Sequence, residues 1–218
     1  MDDSECYQKA SEYWSHIPAT VDGMLGGLSR VSGADTSFSD RILSKFLKRN
    51  PIENGFVLDV GAGIGRVTKH LLAKHFGRIH MLEADQHFVD ASEKYLGPEA
   101  SKKVEKKFCT KLQDFYPEPE TYNCIWIQWV LPHLRDEDFI AVMMRLKAAL
   151  ISSSNAVIFV KENMSKAEDE FDEVDNSVTR PHDRFLSLFK EAGLTVLQDA
   201  KQTNFPKNLY EVRLFALA

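Results

Sequence analysis

Hydrophobic and polar positions change period along this chain in a regular order. Phe56–Val60 reads as a strand, and from Ile64 to Phe76 the apolar positions fall at helical spacing. Between them Gly61, Gly63 and Gly65 occupy alternate positions, so the order is strand, tight turn, helix. Further strands are predicted over 78–83, 104–109, 122–129 and 156–162 and near 194–200 and 209–217, with helices over 86–95, 136–150 and 182–192. Upstream, a helix over 4–16 carries Tyr7, Tyr13 and Trp14 and closes at Pro18. Another, over 36–49, starts in a Ser/Asp cluster and stops before Pro51. The segment Thr20–Gly27 between them is too glycine-rich for a regular element and too apolar for a solvent loop, and it reads as a lid. Alternating strands and helices imply a mostly parallel, seven-stranded α/β sheet of Rossmann-like type with helices on both faces and an N-terminal helical extension. The last two strands lack an intervening helix, so one of them should run antiparallel. The whole chain, 1–218, is expected to be one domain, with 1–50 as helical lid and 51–218 as core.

Composition narrows the class. With 218 residues, 44% hydrophobic and 27% charged, the chain suits one domain with a sizeable core. A net charge of −5 without a basic, aromatic-interleaved stripe disfavours nucleic acid and points to a cationic or neutral partner. Cys6, Cys109 and Cys124 show no metal-ligand spacing, so no metal is expected. The sequence shows no signal peptide and no long apolar run. The expectation is therefore a reduced protein of nucleus and cytoplasm that engages no membrane.

The glycine turn carries the first chemical signal. Glycine is needed where backbone turns with φ > 0 or where a ligand meets bare backbone, and the following helix offers its first free N–H groups. A dinucleotide site wants G-x-G-x-x-G, but here the sixth position is Arg66. The spacing is instead G-x-G-x-G, with Asp59 two residues before the first glycine, a turn similar to that of the Rossmann-like, class I S-adenosylmethionine-dependent methyltransferases. A plain strand-turn-helix unit has the same look. Cofactor binding is favoured because the next strand ends in Glu83, about twenty residues on, where a carboxylate can accept both ribose hydroxyls of an adenosine.

Ligands of such sheets bind beyond the carboxyl ends of the strands. Those ends read Leu112-Gln113-Asp114-Phe115, suited to bracket an adenine, then Gln128-Trp129-Val130-Leu131-Pro132-His133, then Glu162-Asn163-Met164. Beyond the last lies Glu168–Asp175, six acids in eight residues. Such a run is usually a solvated face, but here it can wall a cationic peptide, with Asp172, Asp175 and Ser177 placed inward.

Tyr13-Trp14, Pro-x-Thr-Val-Asp-Gly-Met-Leu-Gly-Gly, Asp-x-Gly-Ala-Gly-Ile-Gly-Arg, Leu-Gln-Asp-Phe, Ile-Trp-Ile-Gln-Trp-Val, Asn-Met and Asp-x-Val-Asp-x-Ser-Val together closely resemble the protein N-terminal α-N-methyltransferases that modify Xaa-Pro-Lys termini. The resemblance runs from about residue 7 to the C-terminus. It implies S-adenosyl-L-methionine as cofactor, held by Trp14, Gly61, Gly63, Arg66, Glu83, Leu112, Gln113 and Gln128, with Arg66 on the methionine carboxylate. It implies a protein substrate with an exposed Xaa-Pro-Lys terminus, met by Tyr13, Leu25, Trp129, Asn163, Asp172, Asp175, Ser177, Leu209 and Tyr210. Asp175, His133 and Asn163 are its candidate catalytic residues. The chain departs from the family in carrying Glu83 where an Asp is usual and Pro132 where a Gly is usual.

Methyl transfer from a sulfonium needs a neutral amine held in line. An α-amine with pKa near 7.7–8.0 is about a fifth neutral at pH ~7.2, whereas a lysine near 10.4 is below about 0.1% neutral. A weak acceptor such as Asp175 or His133 then suffices as base. His133 equally suits a helix start, and Trp129 equally suits the core. Two other readings share this scaffold: a small-molecule N- or O-methyltransferase, marked by a closed apolar pocket, and a cofactor-binding regulatory subunit without catalysis.

Overall fold

The computed structural model describes residues 3–52 and 55–218. After α1 (Asp3–Ser15), α2 (Val21–Met24) and α3 (Ser32–Arg49), the core alternates β1 (Phe56–Val60), α4 (Ala73–His75), β2 (Arg78–Glu83), α5 (Gln86–Ser101), β3 (Val104–Cys109), β4 (Cys124–Gln128), α6 (Asp136–Ala148) and β5 (Val157–Met164). A hairpin of β6 (Glu170–Asp172) and β7 (Ser177–Thr179) follows, then α7 (His182–Glu191), β8 (Val196–Lys201) and β9 (Glu211–Leu217). The seven-stranded sheet has the order β3-β2-β1-β4-β5-β9-β8. β1 to β5 run parallel, and β9 is antiparallel to both β5 and β8, as the missing helix required. The strand order reverses between β1 and β4, which is where such sheets take ligands.

The period of two sorts the central strands onto two cores. Leu58, Val60, Ile125, Ile127, Ile158 and Val160 face α6 and α7, packing on Phe139, Met143, Phe185 and Phe189. Val57, Cys124, Trp126, Val157 and Phe159 face α3, packing on Phe38, Leu43 and Phe46. At the carboxyl ends the same alternation turns Lys161 towards α3, where it bonds Asp35, and Glu162 to the opposite face. α3 therefore covers one face of the sheet. The N-terminal segment thus contributes α3 to one core, and Tyr7 of α1 packs against the other.

Several elements differ from expectation for local reasons. Where no regular element was foreseen, α2 forms one turn because Thr20 caps it, its side chain accepting from Gly23 N at 3.1 Å. α3 starts at Ser32, four residues early, because a 3-10 turn over Ser29–Val31 leads into it. The helix after the glycines starts at 66 rather than 64, and its Thr68–Leu72 segment is π-helical. α5 passes the expected end at 95 by kinking at Gly97 (φ 71°), just before Pro98. The β6–β7 hairpin, where no strand was foreseen, turns through Asn176 in the left-handed region.

Candidate active site

The carboxyl ends of the central strands, α1, α2 and the hairpin enclose a cavity of about 460 Å³. Its floor is the glycine turn. Gly61 and Gly63 have φ of 64° and 53°, and a Cβ at either would run into Val130 or Met24, so the turn accepts only bare backbone. Glu83 ties the turn to β2. Its Oε2 accepts from Gly63 N at 2.8 Å and its Oε1 from Ala84 N and Asp85 N at 2.7 and 3.0 Å. Burial raises this carboxyl against the pull of those three donors. Leu112 and Gln113 line the cavity on the same side.

Beside the turn lies a buried ionic cluster centred on Asp35, which is 0% exposed. Arg66 Nη1 donates to its Oδ2 at 2.7 Å and Gln128 Nε2 to both oxygens at 3.0 Å. Lys161 Nζ pairs with Oδ1 and donates to Ser39 Oγ at 2.9 Å. Trp126 Nε1 donates to Gln128 Oε1 at 3.1 Å, which fixes the amide. Burial alone would raise Asp35; Lys161 and Arg66 outweigh it and hold the carboxyl low. Burial lowers Lys161 against Asp35. Two cations share one carboxylate, so the cluster presents net positive charge to the cavity through Arg66. Sequence reasoning passed over Asp35 and Lys161. The readable signal was a lysine inside an otherwise apolar strand, VIFVK, which must find an anion once buried.

Trp129 follows directly, with φ 56°, a conformation rare for a bulky residue and sustained only by fixed surroundings. Trp129 N donates to Lys161 O at 3.1 Å, while Val130 N and Leu131 N donate to Glu162 Oε1 at 2.9 and 3.1 Å. On the same side Arg180 donates to the carbonyls of Leu131 and Leu134. Buried Glu162 and Arg180 thus clamp the segment that carries Trp129 and His133. Burial pushes Glu162 up to about 8. The indole lies under the Arg66 guanidinium, 5.6 Å from its centroid.

Tyr13, Trp14 and Leu25 form the roof. Trp14 meets Phe88 and His133 edge-on, with ring centroids 6.4 and 5.8 Å apart, and its Nε1 donates to His133 Nε2 at 3.1 Å. α1 is fastened by Tyr7 Oη, which donates to Asp138 and accepts from Arg135 N, and by His87 against Ile17 O at 3.1 Å. Burial lowers His133, and the nearby Asp175 carboxylate only partly offsets it.

The remaining wall comes from Asn163, Asp175, Ser177, Leu209 and Tyr210. Asp175 Oδ1 accepts from Ser177 N at 3.1 Å, and Tyr210 Oη donates to Glu170 Oε2 at 2.7 Å. Asp172 is the exception among the expected inward residues. It is exposed, lies outside the cavity lining, and its Oδ1 caps Val174 N at 2.8 Å. It sits across from Ser177, and its charge reaches Tyr13, which burial, Asp175 and Asp172 together raise. Among the described residues no three His, Cys, Asp or Glu side chains converge as a metal site.

The groups present suit a sulfonium amino acid joined to a nucleoside: bare backbone at Gly61 and Gly63, a guanidinium at Arg66, a carboxylate at Glu83, and Leu112 beside it. Residues 2–218 match the family described as AdoMet-dependent proline di-methyltransferase. The chain is 42% identical over 218 residues to the N-terminal Xaa-Pro-Lys N-methyltransferase 1-B of Xenopus laevis, covering 99% of this chain and 96% of that protein. It is likewise 42% identical to the N-terminal Xaa-Pro-Lys N-methyltransferase 1 of Homo sapiens, with the same coverage. Among solved structures, a SAM-dependent methyltransferase from Leishmania major superposes with a TM-score of 0.89 at 33% identity, over 98% of this chain and 83% of that one. The phosphoethanolamine N-methyltransferase 1 of Haemonchus contortus shares the fold, with a TM-score of 0.77 at 14% identity, over 100% of this chain and 50% of that one.

Proposed function

This chain belongs to the AdoMet-dependent proline di-methyltransferase family, and from that premise we propose that it methylates the α-amine of proteins beginning Xaa-Pro-Lys. It is an S-adenosylmethionine-dependent methyltransferase of Rossmann-like fold. When bound, the cofactor supplies an electrophilic methyl group on sulfonium. The residues that would hold it are Gly61, Gly63 and Glu83 at the turn, Arg66 at the anionic end, Leu112 and Gln113 at the base, Gln128 between, and Trp14 above.

The observation that carries the substrate reading is that Asp175 and the Trp129 indole line one cavity with the glycine turn. An indole face packs against a proline ring and tolerates a methylammonium beside it, while a carboxylate draws in a cationic terminus and can take its proton. Asn163, Ser177, Leu209 and Tyr210 complete the peptide channel, under Tyr13 and Leu25. Asp172, standing outside, acts as an exposed attractor for the third-position lysine rather than as its buried partner. An α-amine suits so mild a site because roughly a fifth of it is neutral near pH 7.2.

Initial rates on a Ser-Pro-Lys-Arg peptide, compared with Ser-Ala-Lys-Arg and Ser-Pro-Gln-Arg, test this reading. Turnover should require proline and fall with glutamine. Equal rates on all three would overturn the motif assignment.

A further inference from the structure

We propose that His87 is a positioning residue for the cofactor: as an imidazolium it ties the exit of α1 to the acidic end of β2, and so holds the Tyr13 and Trp14 roof down over the ribose side of the cavity. Losing one proton releases one of the two ties, and the roof loosens. The proposal rests on the reading that Trp14 and Glu83 hold the cofactor; it does not depend on which amine is methylated.

A neutral imidazole has one donor nitrogen and one acceptor nitrogen. In His87 both nitrogens face acceptors. Nδ1 lies 3.0 Å from Asp85 Oδ1, and Nε2 lies 3.1 Å from the Ile17 carbonyl oxygen. A carboxylate and a peptide carbonyl offer lone pairs only, so the ring meets both only when it carries a proton on each nitrogen. In the neutral form one ring lone pair is set against an oxygen lone pair, and that tie is lost. The charges acting on His87 are those of Asp85 and Glu83 at the end of β2. The segment leaving α1 brings an uncharged carbonyl, since His16 turns back to the Glu12 carbonyl; on α5 itself, Asp90 accepts from Gln86. Burial would lower His87, but its bonds to Asp85 and Ile17, with the two charges, outweigh it and raise the group. The side chain is 37% exposed, so it exchanges its proton with solvent.

The two ties join opposite walls of the cavity from outside it. Glu83, Ala84 and Asp85 line the ribose side and Tyr7, Tyr13 and Trp14 line the roof, while His87 is not among the lining residues. The Ile17 carbonyl follows directly on the turn in which Ile17 N donates to Trp14 O at 3.0 Å and His16 N to Tyr13 O at 3.1 Å. A pull on that carbonyl is therefore a pull on both roof aromatics. The ring also packs on Phe88, with centroids 3.9 Å apart, and Phe88 meets Trp14 edge-on. His87 thus acts on the cofactor through α1 and not by contact. The sign follows from the raised titration: both ties are present at low pH and one is lost as pH rises through it, so cofactor affinity falls with rising pH.

Calorimetric titration with S-adenosylhomocysteine between about pH 6 and 8.5 tests this. H87Q is neutral throughout, and its single amide nitrogen cannot reach both acceptors. Other titrating groups act on both proteins alike, so the ratio of the two Kd values isolates His87. H87Q should bind about three- to tenfold more weakly than wild type at pH 6, the range that one hydrogen bond commands, and the ratio should fall to about one by pH 8.5. By reciprocity the ligand should raise the His87 titration midpoint, followed by NMR of its ring protons, by about 0.5–1 pH unit. A ratio that stays constant with pH, a His87 already neutral at pH 6, or a midpoint unmoved by the ligand would each overturn the proposal. If H87Q does not fold, the wild-type midpoint decides alone. Failure of S-adenosylhomocysteine to bind at any pH overturns the cofactor reading and the His87 tie together; binding with a constant ratio overturns the tie alone.

Discussion

Replacing Asp35 by Ala removes the one anion between two buried cations. The side chains of Asp35, Lys161 and Arg66 are 1%, 0% and 5% exposed, so no water can take its place without opening the core between α3 and β5. Removing one partner of a buried pair costs about 3–5 kcal/mol, a large share of the roughly 5–15 kcal/mol that holds a typical protein folded. In a chain of this size each kcal/mol moves Tm by about 2–4 °C, so D35A should melt roughly 6–20 °C lower. Removing the lysine as well should help rather than harm. In D35L/K161M the lysine charge goes with its anion, apolar groups of similar reach fill the space beside Phe38, and Arg66 is left without Asp35. The double variant should therefore recover part of the loss, giving a coupling of about 1–3 kcal/mol in a double-mutant cycle from urea melts. Salt should not restore D35A, because burial shields the cluster from screening. A Tm for D35A within about 2 °C of wild type, or losses in the double variant that simply add, would refute the buried network as a stabilising unit.

Three other outcomes follow from the site. Glu162 is raised from 4.5 to about 8, so its stabilising share is full below pH 4.5 and is lost as pH rises through about 8. E162Q, which keeps the acceptor for Val130 N and Leu131 N but cannot ionise, should gain Tm relative to wild type on going from pH 6 to 9; a pH-independent difference would sink the assignment. S-adenosylhomocysteine at about a hundred times its Kd should stabilise the protein by about 2.7 kcal/mol in thermal shift, and NAD should not. Steady-state rates should separate the two acids of the hairpin: D175N lowers kcat sharply, whereas D172N, exposed, raises KM by no more than about fivefold. Equal effects would mean that the hairpin acts only as a diffuse field.

The sheet was legible because its strands obey simple periods. β1, β4 and β5 are short apolar runs, and the two final strands without a helix between them announced the antiparallel β9. The glycine turn and Glu83 were legible because their chemistry is set by spacing along the chain. What was hidden depends on contacts between residues far apart. Asp35 looked like part of a helix-start cluster, and only the fold brings it to Lys161, 126 positions away. Likewise His133 reads alone as either base or helix start, and only the fold brings it to Trp14, 119 positions distant. The hairpin escaped notice because three-residue strands carry too little alternation to show which of its acids face inward, and Asp172, expected inside, lies outside.

Tandem mass spectrometry of a Ser-Pro-Lys-Arg peptide incubated with the protein and S-adenosylmethionine bears most directly on the central claim, because fragment ions separate the α-nitrogen from the lysine side chain. The account predicts added mass in 14 Da steps, the mass of CH2, confined to the N-terminal fragment and abolished when the terminus is acetylated while the lysine stays free. Methyl groups on the lysine, or turnover that persists on the acetylated peptide, would contradict it.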